Sequence, residues 1–129
     1  MDDDTRTALH RSQVIDLTTT GRRTGQPRRI EIFLHDEDGL TFITGMPSAE
    51  RTRDWLRNVE TDPRIVIHLK HGATADLPAT ARVIVDPDER RPLIEAAARR
   101  WGRTDVPAMM EYSPLIVVQV DDDGTPPTS

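Results

Sequence analysis

Apolar and polar positions alternate with a period of two over much of this chain. Val14, Ile15 and Leu17, followed by three threonines, predict a strand over 13–20. Ile30, Ile32 and Leu34 alternate with Glu31, Phe33 and His35, the signature of a half-buried second strand. Asp36-Glu37-Asp38-Gly39 reads as a turn and 40–45 as a third strand, so that 27–45 forms a hairpin. Ile65, Ile67 and Leu69 mark one face of a fourth strand over 64–71. An extended segment over 73–85, interrupted near Leu77-Pro78, and a last strand over 114–120 complete the set.

The period changes in two places. Met46-Pro47-Ser48 breaks the hairpin, and 49–59 then carries Trp55, Leu56 and Val59 on one helical stripe. Asp62-Pro63 ends that helix, because proline disfavours a helical residue before it. Asp86-Pro87-Asp88-Glu89 offers an acidic cap, a first-turn proline and a glutamate three residues after the cap. The helix it starts runs to Trp101, with Gly102 as its stop. Residues 1–12 are a polar segment, frayed or a short helix. The tail from 121 to 129 is acidic and Pro-rich, and disorder is expected there. Between them, 13–120 is the folded domain. The order of strands and helices lacks a βαβ rhythm, which argues against a doubly wound parallel sheet. It predicts a mainly β fold: a small antiparallel barrel of about six strands with two helices.

Composition narrows the function classes. The 129 residues suit one domain. A net charge of −5 argues against nucleic-acid binding by bulk electrostatics. Without cysteine there is no disulfide, thiol nucleophile or thiolate metal site. No apolar run approaches the roughly 20 residues of a membrane span. Met1-Asp2-Asp3-Asp4 is acidic where a secretion signal would be basic, so a cytoplasmic protein is expected.

One stretch stands out against this background: Thr18-Thr19-Thr20-Gly21-Arg22-Arg23-Thr24-Gly25-Gln26-Pro27-Arg28-Arg29. It is a strand–turn–strand corner with four guanidinium groups. Glycine takes positive φ at little cost and lets backbone approach a ligand. Successive amides in such turns form anion-binding concavities, and arginine matches phosphate or carboxylate oxygens two at a time. Two readings fit the spacing: an anion socket, most simply for a cofactor phosphate, and a solvated hairpin. Other constellations carry less. His68 and His71, three apart on a strand, point to opposite faces and do not suit a shared metal. His10 and His35 stand alone in the sequence. Asp36-Glu37-Asp38 lacks calcium-loop spacing. No Gly-rich phosphate loop is followed by lysine.

The corner, followed by Ala49-Glu50-Arg51, Trp55, Asn58 and Asp62-Pro63, resembles the deazaflavin-dependent nitroreductase family over residues 14–120. That resemblance implies an FMN-binding-like split β-barrel and coenzyme F-420, an 8-hydroxy-5-deazaflavin. It implies that Arg22, Arg23 and Thr24, with Gly25 and Gln26 in the same turn, grip the phosphate and acidic tail, with Arg28 just beyond. Ile32 would line the ring, Thr44, Gly45 and Met46 would close over it, and Trp55 and Asn58 would pack nearby. Trp55 reads first as a core aromatic, and Arg51 as a solvated helix residue outside the site. The chain departs from the pattern at Met46-Pro47-Ser48, which has no lysine and no paired glycines. Tyr112 is its only tyrosine, with no assigned substrate role.

The function implied is an oxidoreductase that passes a hydride from the reduced deazaflavin to a quinone, nitroaromatic or activated alkene. The alternatives are a non-catalytic carrier of the coenzyme and an FMN-binding oxidoreductase of the same fold. No side-chain nucleophile, catalytic residue or metal is assigned. The product's proton would come from water, Tyr112 or a histidine. A homodimer is expected by analogy only.

Overall fold

The computed structural model describes residues 1–49 and 53–121. Ten elements follow one another: α1 (Asp3–Leu9), β1 (Gln13–Thr20), β2 (Pro27–Glu37), β3 (Leu40–Thr44), α2 (Asp54–Thr61), β4 (Arg64–Leu69), β5 (Ala75–Val83), α3 (Pro87–Trp101), α4 (Val106–Tyr112) and β6 (Leu115–Val120). The six strands close into an antiparallel barrel in the order β1-β2-β3-β6-β5-β4. The β-branched and aliphatic alternation dictates which side chains turn inward. Ile15 and Leu17 of β1, Ile65 and Ile67 of β4, and Ala79 and Ala81 of β5 fill the barrel. Ala8 and Leu9 of α1 and Val59 of α2 join this core. A second core lies outside the barrel wall, where Phe42 and Leu115 meet Leu93, Ile94 and Ala97 of α3 and Met109 of α4.

Four helices are described where the sequence predicts two. The polar first segment contains α1, capped by Asp2, whose side chain accepts from the Thr5 amide. The short α4 has little local signal, since only Met109 on it is buried. Tertiary contacts hold it. The buried guanidinium of Arg90 donates to the carbonyls of Met109, Met110 and Ser113, and to Ile84. Helix α2 begins at Asp54; Ala49 is a bend, and 50–52, like the expected disordered tail from 122 on, lie outside the described residues. Helix α3 starts with Pro87 and ends at Gly102 with φ 67°, as read. Asp86 makes no side-chain cap bond, however. Glu89 turns outward to Arg82, with oxygens 2.7 and 3.0 Å from its guanidinium nitrogens.

The expected break at Leu77-Pro78 is absent, and β5 runs through it. The Pro78 carbonyl accepts from the Asp121 amide at 2.9 Å. In an antiparallel ladder a residue's N–H and C=O point the same way. The donor that proline lacks therefore falls past the last residue of β6.

One feature of the barrel positions the site. Residues 27–34 of β2 pair with β1, but β3 pairs only with residues 35–37. Among the described residues, the other edge of the first half of β2 has no strand partner. Gly45-Met46-Pro47 leads the chain away from β2, which opens a split in the wall beside α2.

Candidate functional site

The corner between β1 and β2 closes on itself through backbone bonds. The Gly21 amide donates to the Gln26 carbonyl and the Gly25 amide to the Gly21 carbonyl, both at 2.8 Å. Gly25 alone of these glycines has positive φ, at 72°. Gly21 is needed for a different reason: a Cβ there would lie 3.0 Å from the Gln26 oxygen. The Thr24 hydroxyl accepts from the Gln26 amide at 3.2 Å, which leaves its proton to donate.

A depression of about 520 Å³ lies against this corner, walled by Arg22, Arg23, Thr24, Pro27, Arg28 and Arg29 on one side and Asp54, Trp55 and Asn58 of α2 on the other. A second of about 410 Å³ occupies the split and is lined by Ile30, Glu31, Ile32, Thr44, Gly45, Arg53, Asp54 and Trp55. Ile30, Asp54 and Trp55 line both, so the two form one groove along the unpaired edge of β2. One end is cationic; the other combines isoleucines and an indole with Arg53, Asp54 and the unpaired main chain of Glu31.

The twelve residues proposed from sequence divide accordingly. Arg22, Arg23, Thr24, Arg28, Trp55 and Asn58 line the cationic end, and Ile32, Thr44 and Gly45 the split. Gly25, Gln26 and Met46 line neither depression; the first two shape the turn. Trp55 both packs on the barrel core and faces the groove. The Thr44 hydroxyl is committed to the Pro114 carbonyl at 2.5 Å, so it offers the groove only its backbone and methyl. The backbone oxygen of Met46 accepts from Arg53, and its sulfur lies 2.9 Å from Arg103 Nη1. Thr19, Gly21, Pro27 and Arg29 of the corner stretch also line the groove, as do Ile30, Glu31, Arg53 and Asp54, which had not been singled out. The alternation of β2 carried a signal for Ile30 alone.

The arginines differ in what they touch. Arg29 Nε donates to Asp16 at 3.0 Å on the outer barrel face, where Lys70 bridges Asp16 and Glu31 at 2.7 Å each. Hydrogen bonds from Lys70 and then Arg29 hold the Asp16 carboxyl below its usual range. Arg22 turns inward to Asn58 and Asp54. The side chains of Arg23 and Arg28 are exposed and, among the described residues, make no hydrogen bond or ion pair.

The histidines serve elsewhere. His68 bridges Thr18 and Asp76 at 2.7 Å each, and that bond depresses the Asp76 carboxyl. His10 holds Asp36 at 2.7 Å. His35 is buried among Phe33, Phe42 and Trp101. None lines the groove, and Tyr112 borders a separate depression across α2, with Leu56, Val85 and Arg90. The proton source considered at Tyr112 or a histidine therefore has no support in the geometry of this groove. No group of three or more His, Asp or Glu side chains suited to a metal occurs among the described residues, and no helix there is long and apolar enough to cross a membrane.

Comparison with known proteins identifies the family and the fold. A family model described as F420H(2)-dependent quinone reductase matches residues 2–123. Among solved structures, the protein Atu2129 of unknown function from Agrobacterium tumefaciens is 25% identical with a TM-score of 0.63; the match covers 90% of this chain and 53% of that one. This chain thus spans about half the length of that relative. Rv2991 from Mycobacterium tuberculosis is 20% identical with a TM-score of 0.68, covering 93% and 81%. An F420-H2 dependent reductase, FDR-A, is 21% identical with a TM-score of 0.61, covering 82% and 93%; at that identity it shares the fold.

Proposed function

The chain belongs to the F420H(2)-dependent quinone reductase family, and from that premise we propose that it is an F420-dependent oxidoreductase whose β2 groove holds the coenzyme and presents it to a small acceptor, a quinone, nitroaromatic or activated alkene. The observation that carries this reading is the continuity of the groove. An exposed cationic corner runs, past Trp55 and Ile30, into a split that mixes apolar side chains with Arg53, Asp54 and unpaired backbone. The donor set suits a molecule with an anionic tail and a planar polar-edged ring. Arg23 and Arg28 meet the phosphate with charge-assisted bonds, supported by the Thr24 hydroxyl. Ile30 and Ile32 turn their main-chain groups to β1, so the N–H and C=O of Glu31 between them would meet the ring's polar edge, as an added strand would be met. Ile32 and Trp55 exclude water from the ring's apolar part.

Bound in reduced form, the deazaflavin supplies a hydride. The protein contributes orientation: it fixes tail and ring and leaves one side of the groove for the acceptor. No histidine or tyrosine lines the groove among the described residues, and in this proposal solvent supplies the proton that completes reduction.

Titration with F420, FMN and FAD, followed by fluorescence, tests the binding step. Tight saturable binding of F420, with consumption of reduced F420 on adding a quinone, is expected. Binding of FMN in preference to F420, or binding of F420 without turnover of any of the three acceptor classes, refutes the proposal.

A further inference from the structure

The four arginines of the corner are not equivalent, and the difference lies in one buried amide. Asn58 stands on α2 and is 3% exposed. Its Oδ1 accepts from the Arg22 backbone N–H at 3.1 Å and from Arg22 Nη1 at 3.2 Å. Its Nδ2 donates to the Thr19 hydroxyl of β1 at 3.0 Å, and Thr19 is 2% exposed. Arg22 Nη2 reaches Asp54, one turn earlier on α2, at 3.4 Å. A chain of bonds thus runs from the barrel wall through the helix to the turn.

We infer that Arg22 and Asn58 are positioning residues that lock α2, and with it Trp55, against the corner, while the anion is met by Arg23 and Arg28. The ligand half of this inference rests on the coenzyme reading above. An amide oxygen has two lone pairs, and Arg22 occupies both on Asn58. Asn58 therefore has no acceptor left for a ligand. An anion that recruited the Arg22 side chain would draw it off a buried oxygen, which carries the cost of a poorly satisfied polar group. The side chains of Arg23 and Arg28, exposed and without intramolecular partners among the described residues, meet an anion with no such loss. Lysine cannot stand in at position 22, because a single ammonium does not span Asn58 and Asp54 as a planar fork does.

The test has a ligand-free arm and a ligand arm. Without ligand, thermal unfolding and tryptophan emission are measured for Arg22→Ala, Asn58→Ala and the double variant. The inference expects strong non-additivity, the double losing no more than the worse single, and a red shift in emission as Trp55 loosens. Thr19→Val replaces Asn58→Ala in the cycle should the latter not fold. With F420 as probe, Arg23→Ala and Arg28→Ala each weaken binding about tenfold or more at low salt and make its salt dependence shallower. Arg22→Ala weakens binding by a similar factor at every salt concentration without changing that dependence, and Arg22→Lys does not rescue it. Additive losses in the cycle, rescue by Arg22→Lys, or a shallower salt dependence in Arg22→Ala overturns the inference. Failure of the parent protein to bind F420 removes the coenzyme reading instead, and the ligand-free cycle still decides the lock.

Discussion

Lowering the pH is expected to destabilise this protein through one residue, His35. Its ring is fully buried. It stacks on Phe42, with centroids 4.8 Å apart and planes 8° from parallel, and meets Phe33 and Trp101 edge-on at the same separation. Arg100 Nη1 lies 2.9 Å from Nδ1. A guanidinium can only donate, so Nδ1 is the acceptor and the neutral ring carries its proton on Nε2, which has no partner. Protonation would set an N–H against an N–H and one cation against another. Burial, and secondarily Arg100, lower the His35 pKa to about 4.

The sign follows from linkage. The unfolded chain takes up this proton near the ordinary pKa of 6.5, while the folded protein resists it until about 4. The stabilisation is therefore complete above the unfolded pKa and is lost as pH falls towards the folded one. At about 1.4 kcal/mol per unit the full effect is about 3 kcal/mol, of which about 2 kcal/mol disappears between about pH 7.5 and pH 5. Urea unfolding of the parent and of His35→Phe at those two pH values, followed by circular dichroism, isolates the term, because other titrations are common to both. The parent should lose about 2 kcal/mol more than the variant. Equal losses would show that His35 is hydrated or charged in the folded state, and the reasoning would fail.

Further outcomes follow from the site and its supports. Arg23→Ala combined with Arg28→Ala should weaken F420 binding by about two orders of magnitude in a fluorescence titration, while changing unfolding free energy by under about 0.5 kcal/mol. Gly25→Ala, at φ 72° with open space around it, should cost about 1 kcal/mol in chemical denaturation without altering the m-value. Arg90→Leu strips donors from three buried carbonyls and one part-buried one and should cost about 3 kcal/mol or more, with amide-exchange protection lost first over α4.

Sequence reading succeeded where local pattern and tertiary demand coincide. The alternation of Ile65, Ile67 and Leu69 names β4's inward face, because a two-residue period leaves one choice of face once the barrel closes. Gly102 reads as a helix stop because its backbone needs the left-handed region. It failed where distant groups decide. Helix α4 depends on Arg90, about twenty residues away, and Glu89 forgoes a capping box for Arg82 on a neighbouring strand. His35 looked like the exposed member of an alternating pair, yet α3 covers that face too, so both Leu34 and His35 are buried.

The same division runs through the site. That arginines gather at one corner is legible in the chain, and their joint presence gives an acidic protein a local positive field. Which of them carry that field is not legible, because each partner lies far along the sequence: Asp16 is thirteen residues before Arg29, and Asn58 thirty-six after Arg22. A run of four like side chains thus resolves into one surface ion pair, one structural tie and two exposed cations. The split beside them was invisible for a related reason. It arises from what β3 does not do, since five residues that stop at Thr44, before Gly45-Met46-Pro47, are too few to cover the eleven of β2. A groove with a charged mouth and an unpaired edge is the consequence of a strand that stops early next to a turn that cannot neutralise itself.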